Sequence, residues 1–490
     1  MFSINDISKY RENNRFEVKK AETTLPKSIW ETYSAFANSL GGVILLGVSE
    51  NKDKTFNVIG VNDAEKILQD FWNNVNKKKI VNINILSDRN AQIIEADGKK
   101  IIKIDVPRAD RQYKPVYIGD NPFAGSFRRN GEGDYRCTEA EVKYMIRDNG
   151  DAPQDMLILT QLAPDAFDKD TVSRYKTRLS NLKPRHVWNN IPEDEFLQKI
   201  GALAKDKETG KLHPTAAGIL MFGYEHEIVK EFPNYFLDYR EKTDEKVRWS
   251  DRVVSNLGEW SGNLFDFYFK VYEKVTSNVK TPFKLKNGID RIDDTPIHEA
   301  IREAVTNALV HSNYYERRGL VIEKSFKEIT ISNPGTMRIS VDEAVSGGVS
   351  DPRNITLMKM FALVVIGERA GSGLYGIHSV WSNNKLERPV LIEQFNPDRT
   401  VLKLQIETEM SGGENSTPTD TPTDTPTDKI QEMLNFCSTA RSRSEIQEFL
   451  GLKDKKHFLN VYLNPLIENG KLEMTIPDKP KSKNQKYVVK

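Results

Sequence analysis

The sequence has very few cysteines and no histidine pair suited to a metal. Its two cysteines, Cys137 and Cys437, lie 300 residues apart in a chain of 490 residues. They form neither a disulfide framework nor a metal-ligand spacing, which fits a reducing cytoplasm. The seven histidines are scattered and include no H-x-x-x-H pair, so a structural zinc site is not expected.

Long apolar runs and a charge imbalance are also missing. No run reaches the roughly 18 apolar residues of a membrane helix, so we expect no membrane span. Residues 1–20 are charged and contain no apolar signal region, and we therefore expect a cytoplasmic protein. The chain contains 71 basic and 70 acidic residues, so its net charge is only +1. Total charge thus argues neither for nor against a nucleic-acid partner.

Several folded units are expected, since a chain of this length exceeds one hydrophobic core. Irregularly mixed helix and strand patterns indicate a multidomain α+β protein. The tetrapeptide T-P-T-D occurs three times near residue 420, and such a segment cannot bury a core, so it predicts a tether. The predicted units are 1–150, a connecting α/β region at 151–285, a third unit at 286–408, the repeat-containing linker at 409–428, and a small unit at 429–490.

The last unit is locally basic, with 12 lysines and arginines against 7 acidic residues. Two helical patterns precede two strand patterns that flank a lysine-rich loop. This order is typical of a winged helix-turn-helix, in which the second helix enters the major groove and the wing touches the DNA backbone. A winged helix that serves dimerisation or protein docking is the alternative.

The stretch 295–316 is predicted to be a helix, and it carries an unusual polar row. Thr295 suits an N-cap and Pro296 the first helical position. Glu303, Asn307 and His311 recur every fourth residue along the border of the apolar stripe. The row is either a solvated edge or part of a ligand site, and we assign no chemical role to His311.

Two glycine-containing turns follow this helix. The first is Asn333-Pro334-Gly335, and the second contains Gly371-Ser372-Gly373. The second does not follow a strand in a β-α-β unit, so it fails as a dinucleotide fingerprint, but its bare amides could still bind phosphate. Together with the E-x-x-x-N helix, residues 290–405 resemble the GHKL ATPase superfamily, whose Bergerat fold is an α/β sandwich.

That resemblance implies ATP as the nucleotide and an ATP hydrolase activity. Glu303 would be the general base, and the Asn307 amide would ligate Mg²⁺. In the family an aspartate faces the adenine amino group, where this chain has Asn333. Arg353 and Asn354 lie in a segment that could fold over the phosphates; an ordinary loop is the alternative. Gly335 and the second glycine turn would complete the nucleotide contacts.

Acidic residues in the first unit could hold a divalent metal. Glu12, Glu17 and Glu50 come from different predicted elements, and Lys19 shares a strand face with Glu17. Converging carboxylates would bind Mg²⁺ or Mn²⁺. Solvated strand ends are the alternative.

The same unit contains E-x-x-x-x-E-x-K followed by AFANS-x-GG, and it resembles the Schlafen-type AlbA-like domain over most of 1–147. The resemblance implies nucleic-acid binding and, in animal Schlafen proteins, metal-dependent RNA cleavage by three acidic residues. Lys114, Arg128 and Arg129 would contact phosphates; a solvated basic face is the alternative.

The tandem order resembles a bacterial family that joins a Schlafen-type domain to a GHKL ATPase and a winged helix. It implies an ATP-regulated protein that acts on RNA, including tRNA, or DNA. We expect a metal-dependent endonuclease gated by the ATPase, a homo-oligomer, and a role in phage defence or stress. The alternative is a non-enzymatic, ATP-binding transcriptional regulator. No G-x-x-x-x-G-K-[ST] motif occurs, which argues against a helicase motor.

Overall fold

The computed structural model divides the chain into two compact units, Met1–Gly413 and Glu414–Lys490. In the first unit it describes residues 15–150, 153–242, 248–279, 285–286, 290–291, 295–348, 350–365, 373–395 and 397–406. In the second it describes residues 433, 436–449, 458, 463, 466–467, 471–476, 482 and 485–489. The division falls within the predicted linker at 409–428, which lies outside the described residues.

The N-terminal region, up to residue 150, is built around a four-stranded sheet in the order β1-β2-β6-β5. Strand β1 runs parallel to β2, and the other neighbours are antiparallel. The strands of the whole N-terminal region are β1 (Phe16–Lys19), β2 (Gly42–Leu46), β3 (Val48–Glu50), β4 (Phe56–Val58), β5 (Ala91–Ala96), β6 (Lys99–Val106), β7 (Phe127–Asn130) and β8 (Gly133–Arg136). Its helices are α1 (Ile29–Asn38), α2 (Ala64–Val75), α3 (Pro122–Gly125) and α4 (Glu139–Asn149).

The two faces of this sheet bury separate apolar clusters because side chains alternate along each strand. In β2, Ile44 and Leu46 pack on one face with Phe36 of α1 and Phe71 of α2. Leu45 points to the opposite face and belongs to the cluster that contains β1, β3 and β4. The helices therefore cover one face, and the short β3–β4 hairpin covers the other.

The rest of the first unit contains a six-stranded sheet in the order β12-β11-β15-β16-β18-β17. Its strands are β11 (Leu237–Lys242), β12 (Asp251–Val254), β15 (Leu320–Ser325), β16 (Glu328–Pro334), β17 (Val390–Gln394) and β18 (Arg399–Gln405). The hairpins β9 (Leu203–Lys205) with β10 (Leu212–Pro214) and β13 (Leu285–Lys286) with β14 (Asp290–Arg291) lie outside this sheet.

The helices of this part are α5 (Lys169–Leu182), α6 (Glu193–Ile200), α7 (Ala216–Phe222), α8 (Glu225–Glu231), α9 (Leu264–Thr276), α10 (Pro296–His311), α11 (Val341–Ser346), α12 (Ile355–Val364) and α13 (Gly373–Asn383). Short 3₁₀ turns occur at Asp88–Asn90, Arg111–Tyr113, Gln154–Met156, Pro164–Ala166 and Ser255–Leu257.

The connecting region 151–285 and the unit 286–408, which the sequence predicts as separate, share one sheet in the structure. Strand β11 pairs in parallel with β15, with Tyr239 opposite Ile322. One apolar core runs from Leu159 to Ile406 and includes side chains from both predicted regions. A sheet cannot be cut between paired strands without exposing unpaired backbone groups, so these regions fold together.

Helix α10 begins where the sequence predicts. Pro296 occupies its first turn, and Thr295 and His298 form a reciprocal capping box at its start. Its apolar stripe is fully buried at Ile301 and Val305, each of which contributes about 1.5–3 kcal/mol of burial energy. The helix is therefore fixed along its length, and its polar border is held in place with it.

The described residues of the second unit form a small sheet in the order β19-β21-β20. The elements are β19 (Arg441–Ser442), helix α14 (Arg443–Phe449), β20 (Leu472–Met474) and β21 (Lys486–Val489). The antiparallel pair of β20 and β21 lies where the sequence predicts two strands flanking a lysine-rich loop. The predicted second helix falls mostly outside the described residues.

A search of the described helices for a membrane span finds none of sufficient length and apolar character.

Candidate functional site

The polar row of α10 faces a cavity of about 290 Å³. Glu303, Asn307 and His311 form one wall, and Asn333 of β16 lies on another. The further lining residues come from the segment after β16, from α12 and α13, and from β17 and β18. Elements that are distant in sequence therefore enclose the residues that the E-x-x-x-N pattern selects.

Glu303 and Asn307 are in direct contact inside this cavity. The Asn307 Nδ2 donates a hydrogen bond of 3.2 Å to Glu303 Oε1. Burial raises the pKa of Glu303 above its ordinary value, and the bond from Asn307 opposes the shift. A raised pKa makes a carboxylate a stronger base at neutral pH. The bond leaves the amide oxygen of Asn307 available as a hard donor for Mg²⁺.

The turn after β16 shapes the opposite wall. Gly335 has a φ of +93°, a conformation that side chains disfavour. A Cβ at this position would lie 2.8 Å from Arg353 Nη1. The Gly335 carbonyl accepts a 2.9 Å bond from Thr400 Oγ1. Gly335 itself lines a neighbouring, smaller cavity, so it positions the turn while Asn333 reaches the larger one.

Arg353 and Asn354 do not extend over the cavity as the sequence suggested. The Asn354 amide donates to the carbonyls of Val310 and Ser312 and thereby closes the C-terminal end of α10. Arg353 lines the cavity, yet its Nη1 donates to the His311 carbonyl at 2.7 Å. Both side chains are buried in structural contacts, which gives them a role in holding the walls together.

Of the predicted glycine turn, Gly373 lies at the start of α13 and lines the cavity. Gly371 and Ser372 fall outside the described residues. The imidazole of His311 also lines the cavity, and burial, with Arg353 and Arg338 nearby, lowers its pKa to about 4. His311 is therefore neutral at physiological pH.

The predicted N-terminal acidic site is only partly described. Glu17 of β1 is nearly buried and pairs with Lys19 at 2.9 Å and with Arg129 at 2.8 Å. Arg129 also pairs with Asp134 at 2.9 Å. The Glu17 carboxylate thus lies between two cations.

Glu50 ends β3 and lies 3.6 Å from Lys54, while Glu12 is outside the described residues. The described part of the chain contains no group of three or more histidine, cysteine or acidic side chains that could hold a metal. The sequence-based ligand set therefore stays a prediction.

The three basic residues expected to contact phosphates lie in structural positions. Arg129 is buried beside Glu17, and Arg128 forms a two-pronged pair with Asp398, with both bonds at 2.7 Å. Lys114 faces a cavity of about 50 Å³, where burial, with arginines nearby, holds its pKa well below the ordinary value. The arginine pairs place Arg128 and Arg129 off the solvated face that was the alternative, and phosphate contact by the three residues stays a prediction.

Residues 12–138 match the family model described as "Schlafen, AlbA_2". The expected likeness of the N-terminal region is thereby confirmed, and the chain is a multidomain α+β protein with an AlbA_2-like N-terminal region.

Three further family models match other parts of the chain. Residues 322–402, which run from within β15 to within β18, match an HATPase-type model described as "Putative ATP-dependent DNA helicase recG C-terminal". Residues 143–238 match a domain of unknown function, DUF8451. Residues 428–489 match "Filamentation induced by cAMP protein Fic-like, C-terminal domain". No curated protein matches the chain.

Two solved structures are similar to parts or most of the chain. The DIP2311 protein from Corynebacterium diphtheriae is 12% identical over 97% of this chain and 95% of its own, with a TM-score of 0.39. The N-terminal domain of a RecG-related protein from Nitrosomonas europaea is 29% identical over 28% of this chain and 95% of its own, with a TM-score of 0.22. TM-scores this low do not establish a shared fold.

Sequence reasoning missed three charged residues near the cavity. Arg338 and Asp351 line it, and Asp148 at the end of α4 binds Arg338. Asp351 and Arg353 share the segment D-P-R-N, so their proximity had a local signal. Asp148 had none, because 190 residues separate it from Arg338.

Proposed function

We propose that this chain is an ATP-regulated protein that acts on nucleic acid. The observation that carries the proposal is the Glu303–Asn307 pair on the wall of a 290 Å³ cavity, with Asn333 on another wall. An ATP site of the GHKL type requires a carboxyl group, an amide oxygen and a polar group that contacts the adenine base. The match of residues 322–402 to an HATPase-type model supports this assignment.

In this proposal the residues around the cavity bind the Mg²⁺ nucleotide and activate the attacking water. Glu303 accepts the proton of the attacking water, and its raised pKa suits that task at neutral pH. Asn307 supplies an oxygen ligand to Mg²⁺, which would neutralise phosphate charge when bound. Asn333 accepts a hydrogen bond from the adenine amino group. A chain that binds ATP without hydrolysing it is the simpler variant of the same proposal.

Calorimetry of the full chain with ATP tests the site. Wild type should bind ATP with Mg²⁺, and Asn307→Ala should lose the part of the affinity that depends on Mg²⁺. Asn73→Ala, on helix α2 of the N-terminal region, is the matched control and should bind as wild type. Absence of ATP binding by the wild-type chain would refute the proposal.

We further propose that the N-terminal region is a metal-dependent endonuclease, with Glu12, Glu17 and Glu50 as metal ligands and Lys19 beside them. The likeness to the Schlafen AlbA_2 model supports contact with nucleic acid. Mg²⁺ or Mn²⁺ would polarise a phosphate at this site. Gating of this activity by ATP in a homo-oligomer would suit phage defence or stress.

The rival function is a non-enzymatic transcriptional regulator that grips DNA with its N-terminal region and with a C-terminal winged helix. Two observations favour it. The Glu17 carboxylate is already paired with both Lys19 and Arg129, and a metal would have to displace these cations. Antiparallel β20 and β21 suit a wing in the C-terminal unit.

A cleavage screen separates these two functions. The purified chain is incubated with tRNA, single strands and duplex DNA, with Mg²⁺ or Mn²⁺, with and without ATP. Cleavage that disappears in the Glu12→Ala, Glu17→Ala double variant supports the nuclease. Intact substrates under every condition would leave the regulator, and cleavage that survives in the double variant would place the chemistry elsewhere.

A further inference from the structure

The wall of the large cavity is held from outside by the N-terminal region. Residues 336–339 and Asp351 and Arg353 line the cavity. From the N-terminal region, Arg108 donates to the Met337 carbonyl, and Arg111 Nε donates to Asp351 at 2.8 Å. The segment that follows β16 therefore has the cavity on one side and the N-terminal region on the other.

Asp148 is the central acceptor at this junction. Its Oδ1 accepts a 2.6 Å bond from Arg338 Nη2 and a 3.1 Å bond from Arg338 Nε. The same carboxylate accepts longer bonds of 3.3 and 3.4 Å from Arg353. Burial alone would raise the pKa of Asp148, but Arg353 and Arg338 outweigh it and lower the pKa. Asp148 is therefore a charged acceptor shared by two arginines.

Both arginines have few donors to spare. Arg338 Nη1 also donates to the Pro352 carbonyl at 3.1 Å, and Arg353 Nη2 donates to the Thr336 carbonyl at 3.0 Å. Only 7% of the Arg338 side chain and 6% of the Arg353 side chain is exposed. Two of the Arg338 bonds go to Asp148, so a phosphate in the cavity that drew this guanidinium toward it would lengthen or break them.

We infer that Asp148 is a positioning residue that competes with nucleotide phosphates for Arg338, so that nucleotide binding and the contact between the N-terminal region and the cavity wall oppose each other. The inference rests on the proposed nucleotide site. An anionic ligand draws Arg338 toward the cavity and loosens its bonds to Asp148 in α4. By linkage, the same coupling makes the docked N-terminal region weaken the binding of phosphates.

The coupling gives the ATP signal a route to the N-terminal region. A nucleoside, which carries no phosphate, cannot attract Arg338 and has no differential interaction with the two arrangements, so it does not shift the equilibrium between them. The triphosphate carries the charge that competes. ATP and adenosine are therefore expected to differ in their effect on this junction.

The test compares the affinities of the full chain for ATP and for adenosine by calorimetry. Asp148→Asn keeps the shape but removes the competing charge, and it should tighten ATP binding about fivefold or more while leaving adenosine binding unchanged. Asp148→Glu restores the charge and should bring ATP affinity back toward wild type. If Asp148 had only a structural role, Asp148→Asn would weaken the binding of ATP and of adenosine equally.

Asp266→Asn is the matched control. Asp266 is another largely buried carboxylate that accepts two bonds from an arginine, Arg174, at 2.7 and 2.8 Å, and it lines neither cavity. It should leave the ratio of ATP to adenosine affinity at the wild-type value.

A second readout follows the junction itself. Hydrogen exchange at α4 and at residues 336–348 should rise in wild type when ATP is added, and should rise without ATP in Asp148→Asn. Unchanged or weakened ATP binding by Asp148→Asn would overturn the inference while the ATP site stands. If wild type bound neither ATP nor adenosine, the proposed function would fail instead.

Discussion

Arg128 pairs with Asp398 in the structure, whereas the sequence predicts that it contacts phosphate. Replacing Arg128 distinguishes these two roles. Both guanidinium nitrogens bond the carboxylate at 2.7 Å, and the side chains are 12% and 13% exposed. Truncating Arg128 to alanine would strand a largely buried carboxylate. Breaking such a pair costs about 3–5 kcal/mol. Because a cavity of about 50 Å³ adjoins the pair and can admit water, we expect about 3 kcal/mol.

Urea denaturation followed by tryptophan fluorescence measures this loss, because all six tryptophans precede residue 414 and report only on the first unit. Arg136→Ala, an exposed arginine in strand β8, is the control and should change stability by less than about 0.5 kcal/mol. The double variant Arg128→Ala, Asp398→Ala should recover part of the loss, because the two changes are not additive.

The contrary result is equally specific. If Arg128 contacts phosphate as the sequence suggested, Arg128→Ala would leave the urea midpoint unchanged. It would weaken binding to all nucleic-acid sequences alike and reduce the salt slope by about 1. That pair of results would refute the structural role.

Three further predictions concern the two cavities. Asn333→Asp should raise the preference for ATP over GTP about tenfold or more in competition binding, since a carboxylate accepts from the adenine amino group but repels the guanine carbonyl. Gly335→Ala should lower the urea midpoint by an amount equivalent to about 1–3 kcal/mol, because its φ is +93° and the added Cβ would meet Arg353. Burial, with Asp398 nearby, raises the pKa of Glu316 to about 7, so the folded state binds this proton more tightly than the unfolded state does. Stability should therefore fall as pH rises from about 4 to 7, and Glu316→Gln should flatten that slope in urea titrations at several pH values.

The sequence predicts those features that depend on contacts between residues close together along the chain. The helical period alone places Glu303 and Asn307 one turn apart, and the structure finds them hydrogen-bonded on a cavity wall. The cap at Thr295 likewise follows from residues within one turn. In these cases the determining contacts lie three or four residues away along the chain.

The features that the sequence does not predict depend on pairing between residues far apart along the chain. The parallel pairing of β11 with β15 joins residues that are about 80 positions apart, and no periodicity signals it. Strands β11 and β12 therefore fall inside the predicted connecting α/β region at 151–285. The sequence likewise predicts phosphate contacts for Arg128 and Arg129 and not their ion pairs, because their carboxylate partners come from distant elements. The partner of a charged side chain is a property of the fold.

Turnover of ATP by Glu303→Gln tests the central claim most directly. Glu299→Gln, exposed one turn earlier on the same helix, is the control and should hydrolyse ATP as wild type does. Glu303→Gln should bind ATP within about threefold of wild type and lose about 10²–10⁴-fold in kcat, the usual contribution of a general base. Wild-type turnover in Glu303→Gln would contradict the account, and loss of ATP binding together with turnover would make Glu303 a structural residue.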